Sequence, residues 1–452
     1  PLSVSVASSF ATGPPFPNYI PQDFTYALGR RRTQRGMGFL GWSSRFAELQ
    51  ASLRPITRSM WIVYINVSMY ALCYQMQTPV LPYLVKSLGA GTRGYGTMMT
   101  TFGVVQFFGG LLAGPLADTY SGELLLLLSF GASALCYFFT AGASTMWMLY
   151  LSRLPTVLQH AVLAARTIIT DQTNEVDRAR MIGYVGLAYG VGFLIGPGLG
   201  GLVSSSHLQS AAWMATVGSL MSMVLIVYYL PASRSFTQKA PIQAPNPEEG
   251  LKAAPSKLSR FNPKEMWRVC TIKGIPSLLS VKILSGMGLG LFHAIFALVA
   301  ADRFGMTTTE TGLVMSFVGG LTMLSQAFLI EWATNHFAER NIIQFCSAVL
   351  GGGFLLLAMA QTASHLYITM VALVPAGCLL GTVNTSQLTK AAPKDSGTII
   401  AIDMSVGSMV HIVTPTVSTY ILATYGYPAV LVTSGSLCFA LLGLINVGMI
   451  IT

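Results

Sequence analysis

The chain has 452 residues, of which 52% are hydrophobic and 9% are charged, and its mean hydropathy is +0.59. Soluble domains carry about 25% charged residues, so 26 Lys and Arg with 16 Asp and Glu are too few to cover a soluble protein of this length. The six cysteines are scattered through apolar stretches, which excludes a disulfide-rich scaffold. The composition predicts a polytopic membrane protein.

Twelve stretches approach the length of about 20 apolar residues that a membrane-spanning helix needs. In the first half they are residues 59–84, 94–116, 124–141, 145–167, 181–203 and 210–230. In the second half they are residues 277–299, 311–331, 342–361, 365–388, 398–423 and 428–450. Continuous apolar runs such as 124–141 do not alternate as barrel strands do. The sequence therefore predicts an all-α membrane protein with twelve transmembrane helices.

Two polar stretches divide the chain. Residues 231–276 carry eight basic residues and seven prolines, a composition typical of a linker. The predicted organisation is an N-terminal extension at 1–57, a six-helix bundle at 58–230, the linker at 231–276, and a second six-helix bundle at 277–452.

The distribution of basic residues predicts the orientation in the membrane. With the N-terminus inside, 20 of the 26 Lys and Arg fall on the inner side, three on the outer side, and three within spans. Both termini are expected on the cytoplasmic side, or on the matrix or stromal side of an organellar inner membrane. This bias and the basic linker account for the net charge of +10 without a nucleic-acid partner.

The N-terminal extension has the composition of an organellar targeting segment or its remnant. Residues 1–57 contain seven serines and two acids, and the chain starts at Pro1, which suggests a processed or incomplete chain. Around 39–53, Trp42, Phe46 and Leu49 fall on one side of a candidate interfacial helix. An ordinary cytoplasmic tail is the alternative.

The two halves repeat a pattern at a separation of about 216–218 residues. Gly96 corresponds to Gly312, Gly103 to Gly319, and Pro197 to Pro415. A duplicated six-helix unit predicts two similar bundles that face each other across a site.

Two sequence motifs resemble those of the major facilitator superfamily. The loop after the second span contains Gly114, Asp118 and Gly122 in a pattern similar to the superfamily's signature loop. The fifth span resembles its antiporter motif, through the residues Gly192, Gly196, Pro197, Gly200 and Gly201. Glycine faces allow helices to pack closely in a membrane, and the Gly-Pro pair permits a bend. The resemblance implies the major facilitator fold, and these residues would act in conformational change; a static packing seam is the alternative.

The chain also resembles the drug:proton antiporter branch, and within it the organic cation transporter-like group, the solute carriers similar to family 22 member 18. The resembling segments are residues 100–106, 152–155, 169–171, Lys282 and residues 396–398. The resemblance implies a secondary transporter that works by alternating access. However, Thr119 and Glu123-Leu124 replace the basic residues usual in the signature loop. A transport-inactive structural subunit of a larger membrane complex, with partners at 1–57 and 231–276, is therefore the alternative.

Ionisable residues within spans are functional candidates because burying charge in a membrane is costly. Asp403 is the acid clearly inside a predicted span, which makes it a candidate for carrying a proton; pairing with a nearby base is the alternative.

In the superfamily, spans one, four, seven and ten line the central cavity. The residues that this implies here are Tyr74, Gln75, Arg153, His160, Lys282, His293, Asn384 and Gln387. The implied wall holds two bases, Arg153 and Lys282, and these four spans contain no Asp or Glu, which favours an anionic or neutral solute over a cation. No phosphate-binding loop, catalytic motif or metal-ligand spacing occurs, so we expect neither an enzyme nor a cofactor. Lipid and a small-molecule substrate are the expected partners.

Overall fold

The computed structural model describes residues 57–173, 175–230, 263–272, 274–392 and 396–446. The unit discussed below begins at Arg58. The targeting segment and interfacial helix predicted within 1–57, and residues 231–262 of the predicted linker, lie outside the described residues.

The first half consists of six spans. Span one is Arg58–Gln77, followed by a short helix, Leu81–Ser87. Span two is Thr92–Thr119 and span three is Gly122–Ala141. Span four is interrupted, with helices Met146–Leu151 and Ala161–Gln172 on either side of a 3₁₀ turn, Leu154–Leu158. Span five is Glu175–Val203, and span six is Ser210–Tyr229.

The second half begins with a short helix, Pro263–Cys270, inside the stretch predicted as linker. Spans seven and eight are Ile275–Asp302 and Thr308–His336, the latter with a π-helical turn at Ser325–Leu329. Spans nine to twelve are Glu339–Ala358, Ala363–Ala391, Ser396–Tyr425 and Tyr427–Asn446. The described residues contain no strand. The prediction of an all-α membrane protein is confirmed, and ten of the described helices are long and apolar enough to cross a membrane.

Spans one and four are not among the ten helices that are long and apolar enough to cross a membrane. Each of the two also differs from its predicted extent. Span one ends at Gln77 rather than continuing to 84, because Pro79 cannot donate the backbone hydrogen bond that the helix needs. Span four was predicted as one helix over 145–167, but it opens into irregular backbone around Pro155 for the same reason. Most other predicted edges agree with the structure within a few residues.

Side-chain caps fix where several helices begin. Ser121 Oγ accepts a hydrogen bond from Leu124 N at 3.3 Å and starts span three. Thr307 and Glu310 form a reciprocal capping box at the start of span eight, with Thr307 N donating to Glu310 Oε2 at 2.8 Å. Gly426, at φ 81°, makes the tight turn between spans eleven and twelve. These caps and this turn fix the ends of spans that are joined by short loops.

Helix packing separates the spans into two bundles. In the first, span one packs against spans five and six, and span three against span six. In the second, span seven packs against spans eleven and twelve, and span nine against spans ten and twelve. The bundles meet where span two contacts span eleven and where span five contacts span eight. We call the face on which spans six and seven connect to 231–262 the linker side, and the other face the opposite side.

The contacts between the bundles follow the repeat. Gly96 of span two lies against Thr419 of span eleven, and Gly312 of span eight lies against Gly201 of span five. Gly103 faces Ile412, while Gly319 faces Leu194 and its neighbour Phe193. The partners differ by the same offset of about 216–218 residues as the sequence pattern. The duplicated unit therefore has a structural counterpart in two equivalent seams.

Candidate functional site

The two bundles are joined on the opposite side by polar contacts. Tyr83 Oη donates to the Met306 carbonyl oxygen at 2.6 Å and lies 2.8 Å from Thr311 Oγ1. Lys86 Nζ pairs with Asp302 Oδ1 at 2.8 Å, and this hydrogen bond raises the pKa of the exposed Lys86. These contacts hold the ends of the two bundles together on this side.

The glycines of span five have two different surroundings. Gly192, Gly196 and Gly200 lie against span one, within the first bundle. Pro197 and Gly201 instead face span eight of the other bundle, where a Cβ on Gly201 would overlap the Thr308 carbonyl oxygen. The motif therefore has two faces. One packs span five against span one within the first bundle, and the other contacts span eight of the second bundle.

The predicted signature loop is only partly described. Gly122 begins span three and packs against span four, where a Cβ would lie 2.7 Å from Ile168 Cγ1. Gly114 and Asp118 belong to the helix of span two, but their surroundings lie outside the described residues. Their roles in conformational change stay predictions.

We expect Gly201→Ala to open the opposite side, because the added methyl group has no space against the Thr308 carbonyl. The measure is labelling of a Thr78→Cys reporter by a membrane-impermeant maleimide added from that side, which should accelerate several-fold. Gly186→Ala on the same helix is the matched control, since nothing lies within 4 Å of a Cβ there. Equal labelling rates in the two variants would contradict the expectation.

A cavity of about 500 Å³ lies between the bundles. Most of its wall comes from the second bundle and is apolar, and it includes four phenylalanines: Phe193, Phe292, Phe296 and Phe354. Among the described residues that line it, Lys282 is the one Lys, Arg, Asp or Glu, accompanied by His293 and His411. The cavity suits a solute with a substantial apolar part.

Lys282 pairs with the carboxylate predicted to carry a proton. Its Nζ lies 2.9 Å from Asp403 Oδ1 and 3.1 Å from Oδ2, and Thr385 Oγ1 donates to Oδ2 at 3.2 Å. The Asp403 residue is buried, at 7% exposure. The charge count that favoured an anion covered spans one, four, seven and ten, and so omitted this acid from span eleven, which compensates Lys282. The structure shows the alternative considered for Asp403, pairing with a nearby base.

Arg153 lies in a second, smaller cavity of about 120 Å³. Its guanidinium donates to Thr140 Oγ1 at 3.3 Å and approaches Cys136 Sγ at 3.9 Å, while Nε has no partner. The residue is 7% exposed, and the described part of the chain gives it no carboxylate partner. Gln75 and His293 line both cavities, so the two adjoin.

Neighbouring helices satisfy the backbone that the break in span four releases. Gln106 Nε2 donates to the Thr156 carbonyl at 3.1 Å, and Tyr70 Oη donates to the Gln159 carbonyl at 3.1 Å. Ser129 Oγ accepts from His160 N at 3.2 Å. Irregular backbone is tolerated at membrane depth only when it is satisfied in this way. Neighbouring helices therefore stabilise the break, and Arg153 directly precedes its 3₁₀ turn.

The structure brings five of the eight predicted cavity residues together. Tyr74 and Arg153 line the smaller cavity, Lys282 lines the larger one, and Gln75 and His293 line both. The other three, His160, Asn384 and Gln387, line neither cavity. His160 packs under Gly109, Asn384 is buried, and each of the three has a side-chain atom without a partner.

Several lining residues were not singled out from the sequence. Gln159 and Tyr137 belong to the smaller cavity, and the four phenylalanines belong to the larger one. Gln159 lies four residues after Pro155, so the proline in the sequence could have indicated a break in the helix near this polar side chain. The phenylalanines look like ordinary lipid-facing residues until the orientation of each helix is known.

The comparisons with known proteins agree with this architecture. Residues 63–392 match the family model of the Major Facilitator Superfamily, so the chain belongs to that superfamily. Within it, the chain is similar to solute carrier family 22 member 18 of Mus musculus, with 32% identity over 374 residues that cover 81% of this chain and 90% of that protein.

More distant relatives share the fold. Tetracycline resistance protein, class G, of Vibrio anguillarum is 27% identical over 304 residues, covering 66% of this chain and 74% of that protein. The crystal structure of the human organic anion transporter MFSD10 has a TM-score of 0.60 at 19% identity, covering 86% of this chain and 99% of that chain. The chain is thus an integral, multi-pass membrane protein of a transporter superfamily.

Proposed function

We propose that the protein is a secondary active transporter that moves a small organic anion or neutral solute by alternating access. The observation that carries the proposal is the cavity of about 500 Å³ between the bundles, with the buried Lys282–Asp403 pair at its wall. The contacts of Tyr83 and Lys86 hold the two bundles together on the opposite side. Transport requires these contacts to break while equivalent ones form on the linker side.

The ion pair supports coupling to protons. While Asp403 is ionised, it neutralises Lys282 and leaves little attraction for a second anion. When Asp403 takes up a proton, the Lys282 ammonium is no longer neutralised, and its charge favours an anion in the adjoining cavities. One proton and one anion then enter the site together, with no change in its net charge. Release of the proton restores the pair and expels the anion.

The test is uptake into proteoliposomes under an imposed pH gradient, with p-aminohippurate as the anion and tetraethylammonium as the cation. We expect accumulation of the anion that follows the gradient, and none of the cation. Asp403→Asn should lose the response to the gradient while retaining exchange of labelled for unlabelled anion. Asp177→Asn, an exposed acid near the linker side, is the control.

Two results would contradict the proposal. Unchanged gradient-driven uptake in Asp403→Asn would exclude the proton role of that residue. Unchanged discrimination between the two probes in Arg153→Ala and Lys282→Ala would exclude the anion preference. The cavity and its built ion pair favour transport over a transport-inactive structural subunit.

We also propose that both termini face the cytoplasmic side, or the matrix or stromal side of an organelle. The support is the excess of basic residues on the linker side. Protease protection of terminal epitope tags in sealed membranes tests this orientation.

A further inference from the structure

Arg153 is a buried charge that the proposed proton coupling does not use. It is more than nine-tenths buried, and its contacts are a hydroxyl oxygen and a thiol sulfur rather than an acid. A buried cation without a counter-ion is costly, because no carboxylate compensates its charge. Such a group fits a site in which the ligand supplies the negative charge.

The smaller cavity offers further polar groups around the guanidinium. Hydroxyl and amide side chains line it, and among the described lining residues there is no Asp or Glu. These polar residues are Tyr74, Gln75, Gln77, Thr78, Tyr95, Tyr137 and Gln159. The side-chain amide of Gln77 has no hydrogen-bond partner, and Gln159 Oε1 also lacks one. Charged and hydroxyl donors near one another match the acceptor oxygens of a carboxylate or similar head group.

The smaller cavity continues into the larger one through shared residues. Gln75, Thr78, His293 and Met315 line both. The larger cavity has mostly carbon walls, so a ligand that occupies both would have a charged end and an apolar end. Lys282 is a weaker candidate for the head group because Asp403 already compensates it.

We propose that the two cavities form one site for an amphipathic organic monoanion, with its anionic head at Arg153 and its apolar body among the phenylalanines. This inference rests on the proposed transport function for its biological meaning, and it narrows the solute class from anionic or neutral to amphipathic and anionic. Arginine's planar fork allows bidentate binding of a carboxylate, which lysine cannot reproduce.

The experiment measures equilibrium binding to the purified full-length protein, so it does not depend on transport. The probes are 4-phenylbutyrate, 4-phenyl-1-butanol and 4-phenylbutylamine, which share one tail and differ in head group. We expect the carboxylate to bind about tenfold or more tightly than the alcohol, because a charge-assisted hydrogen bond replaces a neutral one, and the amine to bind most weakly. Butyrate, which lacks the phenyl group, should bind much more weakly than 4-phenylbutyrate.

Variants test whether Arg153 causes the preference for the carboxylate probe. Arg153→Met should bind the carboxylate and the alcohol equally, and Arg153→Lys should recover part of the difference. Arg166→Met is the matched control, because Arg166 is an exposed arginine on the same span. Lys282→Met combined with Asp403→Asn should keep the preference for the carboxylate.

Four results would overturn the proposal. Equal binding of carboxylate and alcohol by the wild-type protein would do so even if Arg153→Met failed to fold. Equal binding of butyrate and 4-phenylbutyrate would remove the apolar half of the site. The head group would lie elsewhere if Arg153→Met kept the full preference for the carboxylate. The same conclusion would follow if only the Lys282–Asp403 double variant lost that preference. If binding follows expectation while proteoliposomes show no uptake, this inference stands and the transport function fails.

Discussion

Replacing Lys282 with methionine is expected to destabilise the protein more than replacing both members of its ion pair. The single variant leaves the Asp403 carboxylate buried without its cation. Breaking a buried pair from one side costs about 3–5 kcal/mol, and the partial exposure of Lys282, 24% of its side chain, reduces the expected cost to about 2–4 kcal/mol. Lys282→Met/Asp403→Asn removes both charges and should recover most of that loss.

The measurement is a double-mutant cycle of thermal unfolding in detergent, monitored by fluorescence. The pair formed by Lys86 and Asp302 is the control cycle, because solvent screens the attraction between two exposed side chains. If the single Lys282 variant were as stable as the double variant, Asp403 would not depend on the ammonium, and the proton coupling proposed for this ion pair would lose its basis.

Arg153→Met is expected to change stability in the other direction. The guanidinium is buried without a carboxylate, so an apolar side chain of similar length should remove an uncompensated charge and stabilise the empty protein by about 1–3 kcal/mol. The melting temperature of the ligand-free variant should rise above that of the wild type. The more stable variant should at the same time lose its discrimination for the carboxylate probe.

Arg166→Met serves as the reference for this comparison as well, since its side chain is exposed and its replacement should leave the melting temperature nearly unchanged. A fall in the melting temperature of Arg153→Met would mean that the contacts to Thr140 and Cys136 outweigh the cost of burying the charge. Arg153 would then be a structural residue of the bundle.

Hydropathy was sufficient to predict the helices because each span needs about 20 apolar residues to cross the hydrocarbon core. It could not predict their interruptions, because Pro155 and Pro79 lie within segments that remain apolar on average. Pro197 and Pro415 lie inside helices that continue through them. A proline therefore shows where a break is possible, and the surrounding packing decides whether it occurs.

The candidate site was only partly accessible from the sequence. Arg153 and Lys282 stand out because charge is rare in spans, and their burial follows from that rarity. The pairing of Lys282 with Asp403 joins residues 121 positions apart on different helices. No local pattern encodes that distance, since it depends on how span eleven is rotated against span seven. Asn384 was predicted to line the cavity, but the rotation of span ten turns it away from both cavities. Its sequence position could not reveal that rotation.

The interruption of span four also gives the two halves of the repeat different backbone hydrogen bonding. Its counterpart in the repeat, span ten, runs as one helix through Ala363–Ala391 despite Pro375. Backbone amides around Pro155 donate within short-range turns, and the His160 amide also donates to Ser129 Oγ of span three, whereas those of span ten lie in one continuous helix. Amide exchange should therefore be faster around residues 152–160 than around 374–382. A ligand that binds Arg153 is therefore expected to slow amide exchange around residues 152–160 while leaving residues 374–382 unchanged.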